Sequence, residues 1–238
     1  MTRIAIIPAR GGSKRIPRKN LKDFCGEPVI AWSIMAALES DCFDHVLVST
    51  DDEEIAEVAL RYGAEVPFMR PPELADEYTA TRPVINHAIQ EASLIWGVPE
   101  FVCCIYATAP FLLPYDLHTA FEMLKTESAG FVFSAGRFRY PIQRGFKVGE
   151  NGRVVRLWPE HRFTRSQDLE ETYHDAGQFY WGRVDAFLDN KDPMSSEGIA
   201  YVLPGTRVHD IDTDDDWMTA ELIFKALGRE GTGHHGGR

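Results

Sequence analysis

The sequence reads as an α/β protein built on a mostly parallel sheet covered on both faces by helices. Short apolar, β-branched runs alternate with amphipathic stretches from Arg3 to Ala135. Several of those runs are apolar without alternation, the pattern of strands buried on both faces of a parallel sheet. The composition agrees: 238 residues, 44% hydrophobic and 26% charged, describe a globular chain rather than a fibrous or disordered one.

The first strand is expected at Arg3–Ala9, an apolar run stopped by Arg10 and two glycines, and a helix follows near Pro28–Glu39. Val46–Ser49 reads as a strand, Asp52–Tyr62 as a helix with acidic residues in its first turn, and Ala64–Met69 as another strand. A helix over Arg82–Trp96, a buried strand at Phe101–Tyr106, a helix over Tyr115–Thr126 and a strand at Gly130–Ala135 complete the alternation. From Gly136 to about Pro204 the helical period is lost. Short segments such as Phe146–Val148 and Gln178–Trp181 sit there among Gly, Pro and aromatic residues, so 136–190 is expected to be a small β-rich insertion. The pattern resumes with Ile199–Leu203, the acidic turn Asp210–Asp216 and a closing helix at Trp217–Leu227. Residues 1–230 are thus expected to form one domain. The tail 231–238 has the composition of a disordered end, which removes His234 and His235 from any metal argument.

Twenty-five Lys and Arg against 36 Asp and Glu give a net charge of −11, which excludes non-specific nucleic-acid binding over the whole surface. No run approaches the roughly 18 to 20 apolar residues of a membrane span, and neither a signal peptide nor an anchor is expected. Cys25, Cys42, Cys103 and Cys104 show no metal-ligand or CxxC spacing, as expected of reduced thiols in a cytoplasmic protein.

Against that acidic background, Arg10, Lys14, Arg15, Arg18, Lys19 and Lys22 fall within 13 positions directly after the first strand. Ligands of open α/β sheets bind beyond the carboxyl ends of strands. Gly11 and Gly12 let the backbone turn its amides toward an anion, while Arg10, Lys14 and Lys19 can neutralise a polyphosphate. The spacing is neither GxxxxGK[ST] nor GxGxxG. A solvated basic loop is the bland alternative, disfavoured because six crowded cations repel unless an anion joins them. The second signal is His209-Asp-Ile-Asp-Thr-Asp-Asp-Asp216. If Asp210 ends a strand, Asp210 and Asp212 project to one side with Ile211 turned into the core, offering two hard oxygen ligands to Mg²⁺. Asp214, Asp215 and Asp216 suit the first turn of the last helix.

These elements together resemble the CMP-sialic acid synthetase (acylneuraminate cytidylyltransferase) family. The family's opening signature P-A-R-x-G-S-K-x-[IL]-x-x-K-N is matched from Pro8 through Asn20. The likeness continues through Arg70-Pro-Pro-Glu-Leu-Ala-Asp76, Ile105-Tyr-Ala-Thr-Ala-Pro110, Arg165, Tyr173-His-Asp-Ala-Gly-Gln-Phe-Tyr180 and Asp210-Ile-Asp212, covering roughly residues 3–227. The resemblance implies a Rossmann-like nucleotidyltransferase sheet with a dimerisation insertion, and a homodimer interlocked near residues 136–190. It implies that Arg10, Gly11, Gly12, Ser13, Lys14 and Lys19 hold the CTP triphosphate, that Asn20 meets the cytosine, and that Arg70 and Thr81 lie near the nucleotide. Asp210 and Asp212 would bind magnesium, and Arg10 and Lys19 would stabilise the departing pyrophosphate. Arg70 has a plainer reading as a loop ion pair, and Thr81 as a helix N-cap.

The sugar pocket implied by the resemblance comprises Tyr106, Thr108, Arg165, Ala176, Gly177 and Gln178. Here Tyr106 replaces the Gln of the sialic acid motif L-Q-P-T-S-P, and Ala176 replaces the Asn of Y-x-x-N-G. Losing two amides and gaining an aromatic ring suits a more apolar, deoxygenated sugar, and the motifs are most similar to those of the pseudaminic acid cytidylyltransferases. The expected reaction is CTP plus a free nonulosonic acid giving CMP-sugar and pyrophosphate. Sialic, legionaminic or octulosonic acid specificity is the near alternative, and a non-catalytic nucleotide-sensing protein is the alternative from another class. Of Tyr106, Phe179, Tyr180 and Trp181, two are expected to be core only. His161 and His174 are expected to be structural, and Arg165 to meet either the sugar carboxylate or Asp168.

Overall fold

The computed structural model describes residues 2–127 and 129–229, so the tail expected at 231–238 lies outside the described residues. The strands in chain order are β1 (Arg3–Pro8), β2 (Asp23–Phe24), β3 (Glu27–Pro28), β4 (His45–Ser49), β5 (Phe101–Ile105), β6 (Phe131–Arg137), β7 (Phe146–Val148), β8 (Val154–Arg156), β9 (Tyr173–Arg183) and β10 (Gly198–Leu203). The helices are α1 (Val29–Glu39), α2 (Glu53–Arg61), α3 (Thr81–Trp96), α4 (Pro114–Thr126), α5 (Val184–Leu188) and α6 (Asp214–Ala226). Six strands form the central sheet in the order β10-β6-β9-β5-β1-β4. β1 pairs in parallel with β4 and β5, and β10 in parallel with β6, while β9 runs antiparallel between β5 and β6. Every residue of β5 is buried, as two-sided coverage requires.

Two expectations change. Ala64–Met69 forms no strand: Glu65 makes one parallel bridge to Leu47, and Pro67, with no N–H to donate, ends the pairing two residues later. The segment expected as an insertion divides. Tyr173–Arg183 is a full strand of the central sheet, so the parts lying outside the sheet are 138–172 and 184–190, the latter carrying α5. The former carries the β7–β8 hairpin, all six of whose strand residues are exposed. Loss of the helical period over 136–204 missed the short helix α5 and could not distinguish a core strand from a surface hairpin.

The acidic run opens α6. Thr213 accepts from the Asp216 N–H while the Asp216 carboxylate accepts from the Thr213 N–H, a capping box that starts the helix at Asp214 rather than Trp217. Behind it, Phe24 meets Phe111, Trp217 and Phe224 edge-on at ring separations of 6.4, 5.4 and 5.2 Å. Such pairs contribute about 0.5–1.5 kcal/mol each beyond their burial. They hold α6, and with it the acidic turn, against α1 and the loop that follows β1.

Candidate active site

The loop after β1 is folded by its own neighbours. The Gly11 amide donates to Asp51 Oδ1 at 3.1 Å, and a Cβ at Gly11 would collide with the Asp52 carboxylate, so glycine is required there for close approach. Arg18 adopts the left-handed conformation, φ 54°, and its guanidinium clasps the carboxylates of Asp52 and Glu54 at the start of α2. Arg18 is therefore an anchor of the loop. Asn20 is buried, and its Nδ2 donates to the Arg10 carbonyl at 3.0 Å. Lys22 pairs with Asp214 at 3.0 Å, and the other four cations border a cleft of about 530 Å³ lined by Arg10, Ser13, Lys14, Arg15, Lys19 and Asn20 among others. Each has an internal partner. Arg10 donates to the Asp76 carbonyl at 2.7 Å, Lys14 pairs with Glu77 at 2.8 Å, and Arg15 with Asp212 at 2.5 Å. Lys19 Nζ donates to the Ile211 carbonyl at 2.5 Å and lies 3.4 Å from Asp212 Oδ1.

A second cleft, about 440 Å³, shares Lys19, Tyr106 and Thr108 with the first and is closed by Asp175, Asp210 and Asp212. Asp210 and Asp212 stand in an irregular segment after β10 and not at a strand end, with Ile211 1% exposed between them. The alternation expected of a strand survives because that segment is pinned. Arg207 forks onto the fully buried Asp116 of α4, and its carbonyl accepts from Gln178 Nε2. Burial and the neighbouring Asp212 raise the Asp210 pKa above the ordinary carboxyl range, while Lys19 and Arg15 oppose the shift. Among the described residues no group of three or more His, Cys, Asp or Glu side chains converges as a metal site. Two hard carboxylates beside a phosphate-sized cleft nonetheless fit Mg²⁺, which takes one or two protein carboxylates and completes its shell with phosphate oxygens and water.

A family model described as cytidylyltransferase matches residues 4–207. The chain belongs to the cytidylyltransferase family. It is 46% identical over 225 residues to the pseudaminic acid cytidylyltransferase of Campylobacter jejuni subsp. jejuni serotype O:2, covering 94% of this chain and 97% of the relative. It is 33% identical to the CMP-N,N'-diacetyllegionaminic acid synthase of Legionella pneumophila, covering 93% of this chain and 96% of the relative. Among solved structures, a CMP:2-keto-3-deoxy-manno-octonic acid synthetase complexed with CTP superposes with a TM-score of 0.68 at 16% identity, covering 95% of this chain and 100% of the other, a likeness of fold.

The cytidylyltransferase gathers most of the expected site. Arg10, Ser13, Lys14, Lys19, Asn20, Tyr106 and Thr108 line the first cleft, and Ala176, Gly177, Asp210 and Asp212 the second. Gly12 is open, with nothing within 4 Å of an added Cβ among the described residues. Arg70 is 5% exposed and donates to the hydroxyl and carbonyl of Ser49, so it braces the end of β4 instead of making a surface ion pair. Thr81 is the first residue of α3, Ala80 holds the N-cap position, and the Thr81 hydroxyl lies 3.3 Å from the Tyr106 hydroxyl. Arg165 is bidentate on Asp168 at 2.6 and 3.0 Å, in the segment outside the sheet, and lines neither cleft. Gln178 is buried; its amide holds the Arg207 carbonyl, and it too lines neither cleft. Phe179 and Trp181 are fully buried, whereas Tyr106 and Tyr180 are part-exposed and border cavities, the expected division. His161 and His174 bond locally, to Thr164 and to the Asp175 carbonyl. Sequence reading missed Asp51, Asp116, Asp175 and Arg207. Asp51, Asp116 and Arg207 lie in no quoted motif, and Asp175 lies within the Tyr173–Tyr180 motif without being singled out; only the tertiary fold brings Asp116 to Arg207, 91 residues away.

Proposed function

We propose that this cytidylyltransferase activates pseudaminic acid, a nonulosonic acid, by the reaction CTP + sugar acid → CMP-sugar + pyrophosphate. The observation that carries the reading is the junction of the two clefts at Lys19, Tyr106 and Thr108: one side is basic and sized for a triphosphate, the other is bordered by the acidic pair. Identity of 46% to a pseudaminic acid cytidylyltransferase supports the choice of sugar. The anomeric hydroxyl oxygen forms a bond to the α-phosphorus and gives up its proton to water, and the bond from that phosphorus to the bridging oxygen of the pyrophosphate breaks. Positioning and charge neutralisation dominate such a transfer. Arg10 and Lys14 would exchange their partners Asp76 and Glu77 for β- and γ-phosphate oxygens, and Lys19 would meet the charge growing on the leaving group. Asp210 and Asp212 would hold Mg²⁺, which when bound screens the phosphate charges.

We also propose that the protein is a homodimer whose contact includes the β7–β8 hairpin. Phe146, Val148, Val154 and Val155 are 57–65% exposed there, an apolar surface that a second copy would cover. The test of the activity is pyrophosphate release from CTP and Mg²⁺ with pseudaminic, legionaminic, N-acetylneuraminic and 3-deoxy-manno-octulosonic acids. The highest kcat/KM is expected for pseudaminic acid; a higher value for another acid would reassign the sugar, and no release with any would overturn the activity.

A further inference from the structure

We infer that Asp175 selects the acceptor, by accepting a hydrogen bond from the N–H of an acylamino group whose acyl end enters the cavity on the far side of β9. The inference rests on the reading that the acidic cleft binds a nonulosonic acid. Asp175 is half-buried and borders two spaces at once: the 440 Å³ acidic cleft and a cavity of about 290 Å³ walled by Phe133, Ala135, Pro193, Met194 and Ala200. Asp175 is the residue common to both linings. Oδ1 accepts from the Gly177 amide at 2.8 Å and Oδ2 from the Tyr180 hydroxyl. Both partners are neutral donors. Burial, reinforced by Asp175 itself, raises the Tyr180 pKa, so that phenol keeps its proton and remains a donor.

An ionised carboxylate offers about four lone-pair sites and donates nothing, so about two remain for a ligand that must bring a proton. The ligand's own carboxylate is excluded from this end by charge. A hydroxyl would satisfy Asp175 but leave the apolar cavity unfilled. An acylamino group satisfies both, because its N–H and its acyl carbon leave the same nitrogen: the N–H would meet the Asp175 carboxylate while the acyl methyl would lie among Phe133, Pro193 and Met194.

The test compares kcat/KM for pseudaminic acid with that for a nonulosonic acid carrying only hydroxyls, at saturating CTP, in the full chain. Asp175→Asn keeps the shape but opposes an N–H with its own amide, so the preference for the acylamino sugar should fall about tenfold while KM for CTP stays unchanged, one charge-assisted hydrogen bond being at stake. Ala200→Leu, at an exposed position of β10 bordering the cavity, fills the space without touching the carboxylate and should lower the same preference. If Asp175→Asn lowers both sugars equally or neither, or if Ala200→Leu leaves the preference intact, the inference is overturned while the cytidylyltransferase reading stands. A wild-type enzyme that turns over no acylamino sugar overturns both.

Discussion

Removing Arg207 should expose how strongly the acidic turn depends on one buried pair. Asp116 has no exposed surface, and Arg207 Nη2 lies 3.0 Å from its Oδ1 while Nη1 meets Oδ2. Two neutral donors complete the carboxylate: the Tyr201 hydroxyl at 3.1 Å and the Leu113 amide at 3.0 Å. Burial and Asp116 push the Tyr201 pKa up to about 12, so it stays a donor. Arg207→Met keeps most of the stem's packing and leaves a buried anion without its cation, which costs about 3–5 kcal/mol. That is a large share of a typical total of about 5–15 kcal/mol. At about 2–4 °C per kcal/mol for a chain of this size, Tm should fall by roughly 6–20 °C. Urea unfolding at pH 7 measures the loss, and Asp116→Asn combined with Arg207→Met should recover part of it, because the uncompensated charge is gone. A single-variant loss below about 1 kcal/mol would put the pair in the class of surface ion pairs and refute the reasoning.

Three further outcomes are expected. Lys19→Ala should raise KM for CTP roughly 10- to 150-fold, the equivalent of about 1.5–3 kcal/mol for a bond to a charged group, and should affect CMP binding far less; equal losses for both ligands would remove Lys19 from the triphosphate. Asp212→Asn should fold normally and lose about a hundredfold in kcat, with the Mg²⁺ titration midpoint displaced upward; an unchanged midpoint would detach Asp212 from the cation. Asp52 is held below its usual carboxyl value by the Arg18 side chain, so its contribution is full above about pH 4 and lost as pH falls through the lower folded value. Asp52→Asn should therefore flatten stability as pH falls below about 4, measured as urea midpoints, and an unaltered acid limb would show that the pair stores nothing.

The parts legible in sequence are those written in local periodicity or fixed spacing. Elements α1 to α4 were readable from their apolar stripes, and the loop from Pro8 to Asn20 from its charge density after β1. What local pattern could not carry was partner choice. β9 shows strand composition over Gln178–Trp181, yet nothing in those residues says that it inserts antiparallel between β5 and β6, because strand order is settled by crossover geometry across the whole sheet. Gln178 illustrates the same limit within the site. Its neighbours Ala176 and Gly177 border the acidic cleft, but the positive φ of Gly177, 60°, and the irregular register near Ser134 interrupt the sheet alternation, and Gln178 turns inward to the Arg207 carbonyl. Arg18 sits among the phosphate-loop cations in sequence and leaves them in space, since its left-handed backbone sends the guanidinium to α2.

The pairing of the loop's cations also explains why so acidic a chain can receive a polyanion. Lys14 pairs with Glu77, Arg15 with Asp212, and Lys19 with the Ile211 carbonyl and Asp212. These contacts keep crowded cations from repelling one another and fold the loop with the chain's own acids. A triphosphate can enter only by exchange, and the exchange is uneven. Glu77 is 35% exposed in its side chain and returns to water when Lys14 leaves it. Asp212 is bound into the wall of the cleft beside Asp210, and losing both Arg15 and Lys19 to phosphate would leave two carboxylates facing a polyanion. Mg²⁺ held by Asp210 and Asp212, as proposed above, would offset that charge. On the proposed reading the basic loop and the acidic turn act together: Asp212, which pairs with Arg15 and Lys19, would be the carboxylate left to a cation when a triphosphate takes those two side chains.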